Sequence, residues 1–164
     1  MEKSQVSMPN DREVKVTRAF KAPKALVWKA YSEPALVRRW MLGPPGWTMP
    51  VCEMDMRGGG SYRWRWRSED GQAEFGFHGT FREVVAGTKV VHTQSYDPGN
   101  TGQGEGGGEA IITLTFSEEK GVTTVTTLMD FGSKEVRDTA VATGMTDGME
   151  QSYQLLERVL AEQS

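Results

Sequence analysis

Residues 58–71 read GGGSYRWRWRSEDG, and the order of side chains in the middle of that stretch decides the fold. Tyr62, Trp64 and Trp66 alternate with Arg63, Arg65 and Arg67. A period of two is the mark of a β-strand, in which residues two apart share a face. The rings therefore point one way and the guanidiniums the other. A large aromatic side chain buries about 150–250 Å². Leaving one in water forfeits roughly 4 kcal/mol at about 25 cal/mol per Å². The ring-bearing face must be dry, and the arginines must lie on an outer, wet face where cross-strand acids can pair with them. A nucleic-acid platform needs stacking rings and phosphate-binding charges on the same side, and this pattern separates them.

The segments around this strand repeat its grammar. EVKVTRAF (13–20), WTMPVCEMDMR (47–57), AEFGFHGTFREVV (73–85), KVVHTQSYD (89–97), EAIITLTF (109–116) and VTTVTTLMDF (122–131) read as further strands. Short turn signals separate most of them, which predicts an antiparallel meander. APKALVWKAY (22–31) and SEPALVRRW (32–40) read as short helices, each with proline near its first turn. From about Ser133 the chain reads as helical to the end. Gly144 and Gly148 fall on one face there, each at about 1 kcal/mol relative to alanine. Two arrangements fit, a turn near TGMTDG or one helix bent at its glycines, and the single bent helix is the expectation. The class is α+β, with helices segregated to one face of an antiparallel sheet. Residues 1–12 are expected to be a flexible N-terminus and 13–164 a single domain.

Composition narrows the function classes. The 164 residues carry 19 Lys and Arg against 22 Asp and Glu, a net charge of −3, which offers phosphate backbones no global attraction. Cys52 is the one cysteine, so neither a disulfide framework nor a cysteine metal cage is expected. No run approaches the length of a membrane span, and no apolar leader opens the chain. A cytoplasmic protein with no cofactor, no metal, no nucleic acid and no membrane partner is the expectation.

Few polar groups stand out. His78 and His92 are the only histidines, without metal-ligand spacing between them. Alternation turns His78 outward and His92 inward. Glu83 is in phase with Phe81, which aims its carboxylate at the interior or its rim, where a raised pKa would suit acid–base work. Asp55 and Arg57 fit a structural ion pair. Gly99 to Gly108 lacks the Lys-Ser/Thr of a phosphate loop and reads as a mobile loop. Loops 68–73 and 98–108, the turn at Gly132-Ser133 and GPPGW should gather at one end of the sheet, with 98–108 as a lid.

In combination, FKAPKALVWKAYSEPALVRRW, MDMRGGGSYRWRWRSEDG, FHGTFREVVAGTKVVHT and GMTDGMEQSYQLLERV resemble the SRPBCC superfamily. The nearest branch is the one similar to the activator of the heat-shock-protein-90 ATPase. Ala22-Pro23, Val27-Trp28, Pro34, Trp40, Asp55-x-Arg57 before glycines and Tyr62, and Gly79-x-Phe81-x-Glu83 carry the likeness. Gly58 stands where that family usually has proline. The resemblance implies a helix-grip (START-like) fold, a curved sheet wrapped around a long C-terminal helix, with a cavity between them for a lipid, polyketide or other apolar or aromatic molecule. The expected ligand-facing residues are Trp40, Trp47, Tyr62, Trp64, Trp66, Phe77, Phe81, Glu83, His92, Tyr96, Met145, Met149 and Tyr153. The alternatives are a cyclase, dehydratase or hydrolase using His92, Glu83 or Tyr96, and a protein that contacts a chaperone or a second copy of itself. The extra N-terminal domain that accompanies chaperone activators is not expected from these residues, which ranks that reading below small-molecule binding.

Overall fold

The computed structural model describes residues 3–97, 99 and 109–163. The seven expected strands and one short further strand, β1, form an eight-stranded antiparallel sheet: β1 (Gln5–Ser7), β2 (Glu13–Phe20), β3 (Trp47–Met54), β4 (Ser61–Ser68), β5 (Glu74–Val85), β6 (Lys89–Asp97), β7 (Glu109–Glu119) and β8 (Val122–Asp130), in the order β1-β2-β8-β7-β6-β5-β4-β3. Strands β3 to β8 are the meander that the alternation requires. The chain's early strand β2 closes onto β8, with Val14 opposite Met129 and Phe20 opposite Thr123. Within the N-terminal segment expected to be frayed, β1 adds a short edge to β2.

One face of this sheet is dry. Val14, Val16 and Phe20 of β2, Tyr62, Trp64 and Trp66 of β4, Phe81 of β5, Ile112 and Phe116 of β7 and Val125 and Met129 of β8 are all buried on it. Register shifts between Thr48 and Val51 in β3 and between Phe81 and Glu83 in β5 bend those strands, as bulges do. Helices α1 (Lys24–Ser32) and α2 (Pro34–Trp40) lie on the dry face. Trp40 joins them: its indole stands 4.7 Å from the Tyr31 ring, and its Nε1–H donates to the Ala30 carbonyl at 2.9 Å.

The C-terminal segment is two helices, not the one bent helix expected. They are α3 (Lys134–Ala142) and α4 (Met145–Gln163). Ser133 caps α3, its side chain accepting from the Val136 N–H at 3.2 Å. Gly144 ends it at φ +81°, a left-handed conformation that glycine adopts without strain, with its N–H donating to the Val141 carbonyl at 3.1 Å. The Gly144 carbonyl then accepts from Asp147 and Gly148 and starts α4. One residue both stops a helix and opens the next, which helical periodicity alone does not reveal.

Helix α4 is fastened at one side of the sheet. Arg18 of β2, 2 % exposed, donates to Glu150 from Nε and Nη2 at 3.1 Å each and to Glu157 at 2.7 Å. Its guanidinium also lies 5.1 Å from the Phe20 ring centre. Around it the helices press against β2, β3, β7 and β8, while over β4, β5 and β6 their backbones stand off.

The two glycines of this segment predict opposite responses to alanine. At Gly148 a Cβ meets only Pro44 Cδ, at 4.0 Å. Gly148→Ala should therefore raise unfolding stability by about 0.5–1 kcal/mol. Gly144→Ala, at positive φ, should lower it by about 1 kcal/mol. Urea unfolding of the two variants checks both signs.

Candidate functional site

The stand-off over β4–β6 leaves an aromatic wall on the concave face. Direct pairing puts Trp64 opposite Phe77, Trp66 opposite Phe75, and Phe77 opposite Tyr96, so all of them point inward. Trp66 stacks on Phe75 at 5.4 Å and meets Phe77 edge-on at 5.7 Å. Phe77 lies 5.5 Å from Tyr96, and Trp47 closes the row 5.3 Å from Phe75. Exposure is graded along this wall. Tyr62, Trp64 and Trp66 are buried, whereas Trp47, Phe75, Phe77, Gln94 and Tyr96 are half-buried, as are Met145 and Met149 in the first turn of α4. Trp66 also anchors the α2–β3 connection, its Nε1–H donating to the Met41 carbonyl at 2.6 Å, and Ser152 of α4 holds the same connection through the Gly43 N–H at 2.8 Å. The Trp64 Nε1–H is buried with no hydrogen-bond partner among the described residues.

At the closed end of the wall, three strands are stitched by one hydroxyl. Tyr62 pairs with Gly79 of β5, and its hydroxyl reaches past it to donate to the Thr93 carbonyl of β6 at 2.5 Å. His92 Nδ1 lies 3.0 Å from that carbonyl and 3.1 Å from the Tyr62 oxygen. A carbonyl only accepts, so Nδ1 carries the proton and the ring is the neutral Nδ1–H tautomer. Burial lowers the His92 pKa to about 4, and the Thr93 hydrogen bond recovers only part of that drop. Burial likewise pushes the Tyr62 phenol well above its ordinary value. Gly79 is required here, because a Cβ on it would sit 2.2 Å from the Thr93 carbonyl oxygen.

The remaining sequence-predicted residues divide. Phe81 and His92 face each other across β5 and β6 and belong to this buried end. Trp40 and Tyr153 are core, Trp40 against Tyr31 and Tyr153 against Phe20 at 5.8 Å on the β2 side. Glu83 corrects the expectation that its carboxylate turns inward. The bulge after Phe81 shifts the phase by one residue, so Arg82 and Glu83 are both exposed and Val84 packs on the core. Glu83 pairs with Lys89 on the outside at 3.3 Å. No acid–base couple between Glu83 and His92 exists. His78 is exposed on the outer face, as alternation predicts.

Sequence reasoning missed Phe75 and Gln94 as wall residues, although both are in phase with residues it named. It also missed Arg18 as the fastening of α4, since its acids lie more than 130 positions away in the chain. The loops 43–46 and 68–73 do meet, with Glu69 N–H donating to the Gly46 carbonyl at 2.6 Å, at the end where Trp47, Phe75 and Tyr96 are half-exposed. The expected lid, 98–108, lies outside the described residues except for Gly99. Two outer recesses, of about 460 and 580 Å³, lie on the convex side. They are lined by charged and small polar groups such as Arg65, Glu74, Arg63, His78 and Glu109, so neither resembles the apolar wall. Among the described residues no cluster of His, Cys, Asp and Glu could hold a metal, and no helix is long and apolar enough to cross a membrane.

A curved antiparallel sheet gripping a C-terminal helix, with two short helices inserted after β2, defines the helix-grip class. Residues 21–161 match the family described as Activator of Hsp90 ATPase homolog 1-like protein, and the chain belongs to that family. It is similar throughout to a crystal structure of a Rhodobacter sphaeroides protein, with 27% identity, a TM-score of 0.89, and 98% of this chain and 99% of that one covered. The protein Ms6760 of Mycobacterium smegmatis shares the fold at 19% identity and TM-score 0.84, covering 97% of each chain. So does an AHSA1-like protein of Aeromonas hydrophila, at 22% identity and TM-score 0.68, covering 88% of this chain and 93% of that one. No curated protein matches the sequence.

The stitched end sets two expectations. Gly79→Ala should destabilise the protein by about 2–3 kcal/mol, because the obstructing atom is backbone. His92, neutral when folded with a pKa of about 4, makes the unfolded state the better proton acceptor below pH 6.5. Stability should then fall by about 2 kcal/mol between pH 6.5 and 5, and His92→Gln should flatten that slope. Urea midpoints across this range measure it.

Proposed function

We propose that the protein binds an apolar or aromatic small molecule between the β4–β6 wall and the first turn of α4. The observation that carries this reading is the coincidence of three features at one place. The helix backbones stand off from β4–β6, the inward row there is aromatic, and its rings change from buried to half-exposed towards one end. Ligand sites are mostly apolar with a few convergent polar groups, and Gln94, Tyr96 and the unpartnered Trp64 N–H supply such groups. The wall proper is Trp47, Trp64, Trp66, Phe77 and Tyr96 of the expected residues, with Phe75 and Gln94 added, and Met145 and Met149 opposite.

The chaperone-contact reading relied on the outer arginine row. That row is largely occupied: Arg65 pairs with Glu74 at 2.8 Å and also with Asp97, and Arg67 pairs with Glu74 at 2.9 Å. Of the enzymatic reading's three candidates, His92, Glu83 and Tyr96, Glu83 turns to the outer face, where it pairs with Lys89. Small-molecule binding remains the best supported.

A panel of flat polyketides, flavonoids and long-chain lipids should contain molecules that shift the tryptophan emission and raise the melting temperature. Phe77→Ala should weaken such binding about tenfold, the loss of roughly 1.5 kcal/mol of ring contact. A panel that leaves both emission and melting unchanged overturns the reading.

A further inference from the structure

The distribution of charge around this wall carries a consequence for which molecules it accepts. The inward side chains of its strands, from Trp47, Cys52 and Met54 of β3 through the rings of β4 and β5 to Gln94 and Tyr96 of β6, include no lysine, arginine or ionised acid. His92 is the one titratable base among them, and the Thr93 carbonyl and Tyr62 oxygen hold its Nδ1–H as a neutral donor. Two arginines are buried elsewhere. Arg18 is shared by Glu150 and Glu157, and Arg137 donates to the Asn10 carbonyl and to Asp138.

The half-exposed end gives an anion no better reception. Strand termini place Glu74, Asp97, Glu109, Asp130 and Glu13 there, one after another across the sheet. The cations near them are already paired, Arg65 and Arg67 with Glu74, Arg65 with Asp97, Arg12 with Asp130 at 3.4 Å, and Lys134 with Asp138 at 3.8 Å. Arg38 of α2 approaches this face only at Cys52 on the edge strand β3, where it also donates to the Pro50 carbonyl at 3.5 Å. A carboxylate seated against the rings of β4–β6 would leave water without meeting a countercharge there, the condition under which burial drives the acid to its neutral form.

Resting on the small-molecule reading above, we infer that the cleft takes uncharged aromatic molecules and rejects the carboxylate form of otherwise identical ones. A carbonyl, ether or hydroxyl finds partners in the Gln94 amide and Tyr96 hydroxyl; an ionised acid does not. This separates neutral polyketide-like compounds from free fatty acids.

The test compares two molecules of one shape, 2-acetylnaphthalene and 2-naphthoate, titrated into the full chain and followed by tryptophan emission and calorimetry. At pH 7.5 the ketone should bind at least about 100-fold more tightly than the acid. Lowering the pH to 5.5 should strengthen apparent naphthoate binding by about tenfold per pH unit, since a carboxylic acid with pKa near 4 gains neutral form at that rate. Ketone binding should not move, because His92, with a pKa of about 4, stays uncharged over that range. Naphthoate binding as tightly as the ketone at pH 7.5, or with no pH dependence, overturns the charge selection while leaving the cleft. Binding of neither molecule at any pH, together with an unresponsive ligand panel, removes the cleft itself.

Discussion

Arg18 is the point on which the arrangement of layers turns. It is an arginine on the dry face of a sheet, a position that burial alone forbids. It is tolerated because α4 brings Glu150 and Glu157 to it, and because Phe20 and Tyr153 offer their ring faces at 5.1 and 6.0 Å. Burial would raise the Glu150 carboxyl, but hydrogen bonds from Arg18 and the Ser4 backbone outweigh it and hold its pKa at about 2. Replacing such a pair by apolar residues is often neutral, whereas deleting one partner typically costs about 3–5 kcal/mol. The network therefore specifies position more than it adds stability. It holds α4 against β2.

With the helix held there, the inner face of β4 carries large buried rings where the helix backbones stand off. Large rings are the residues able to span that gap, which gives the Tyr-x-Trp-x-Trp row a purpose beyond filling a core. They reach out and are anchored at their polar tips, Trp66 on the Met41 carbonyl and Tyr62 on the Thr93 carbonyl. Gly79 belongs to the same device. Without a side chain at that position, Tyr62 bridges from β4 to β6, and the phenol and His92 share one backbone oxygen. The wall is buried at this end and part-exposed at the other, where Trp47, Phe75 and Tyr96 keep part of their surface in contact with water.

How much of this was legible follows from the range of each signal. Strand alternation is local, and it located β2 to β8 and the face of every ring in β4. It failed at Glu83 because a bulge inserts one residue and inverts the phase beyond it, and nothing in FREVV announces the insertion. It identified the glycines of the terminal segment but favoured a bend over a break, since only the dihedral of Gly144, +81°, separates the two. It placed Arg18 on one face with Val14, Val16 and Phe20 and left its charge unexplained, because the compensating acids come from the far end of the chain. Local periodicity shows faces; pairings between distant elements it cannot show.

The same alternation that buries the rings also keeps charge off the inner face of β4. In β4 Arg63 and Arg65 each lie between two inward aromatic residues and Arg67 follows Trp66, so cations and rings are sorted to opposite sides by the pleat itself. The acids opposite Arg65 and Arg67, Glu74 and Asp97, sit on the outer face for the same reason. Thus the neutrality of the wall is no separate feature added to the fold. It is what remains when a strand alternates strictly between ring and guanidinium, and any charged group on the inner face then requires partners of its own, as Arg18 shows at the one place where a helix supplies them.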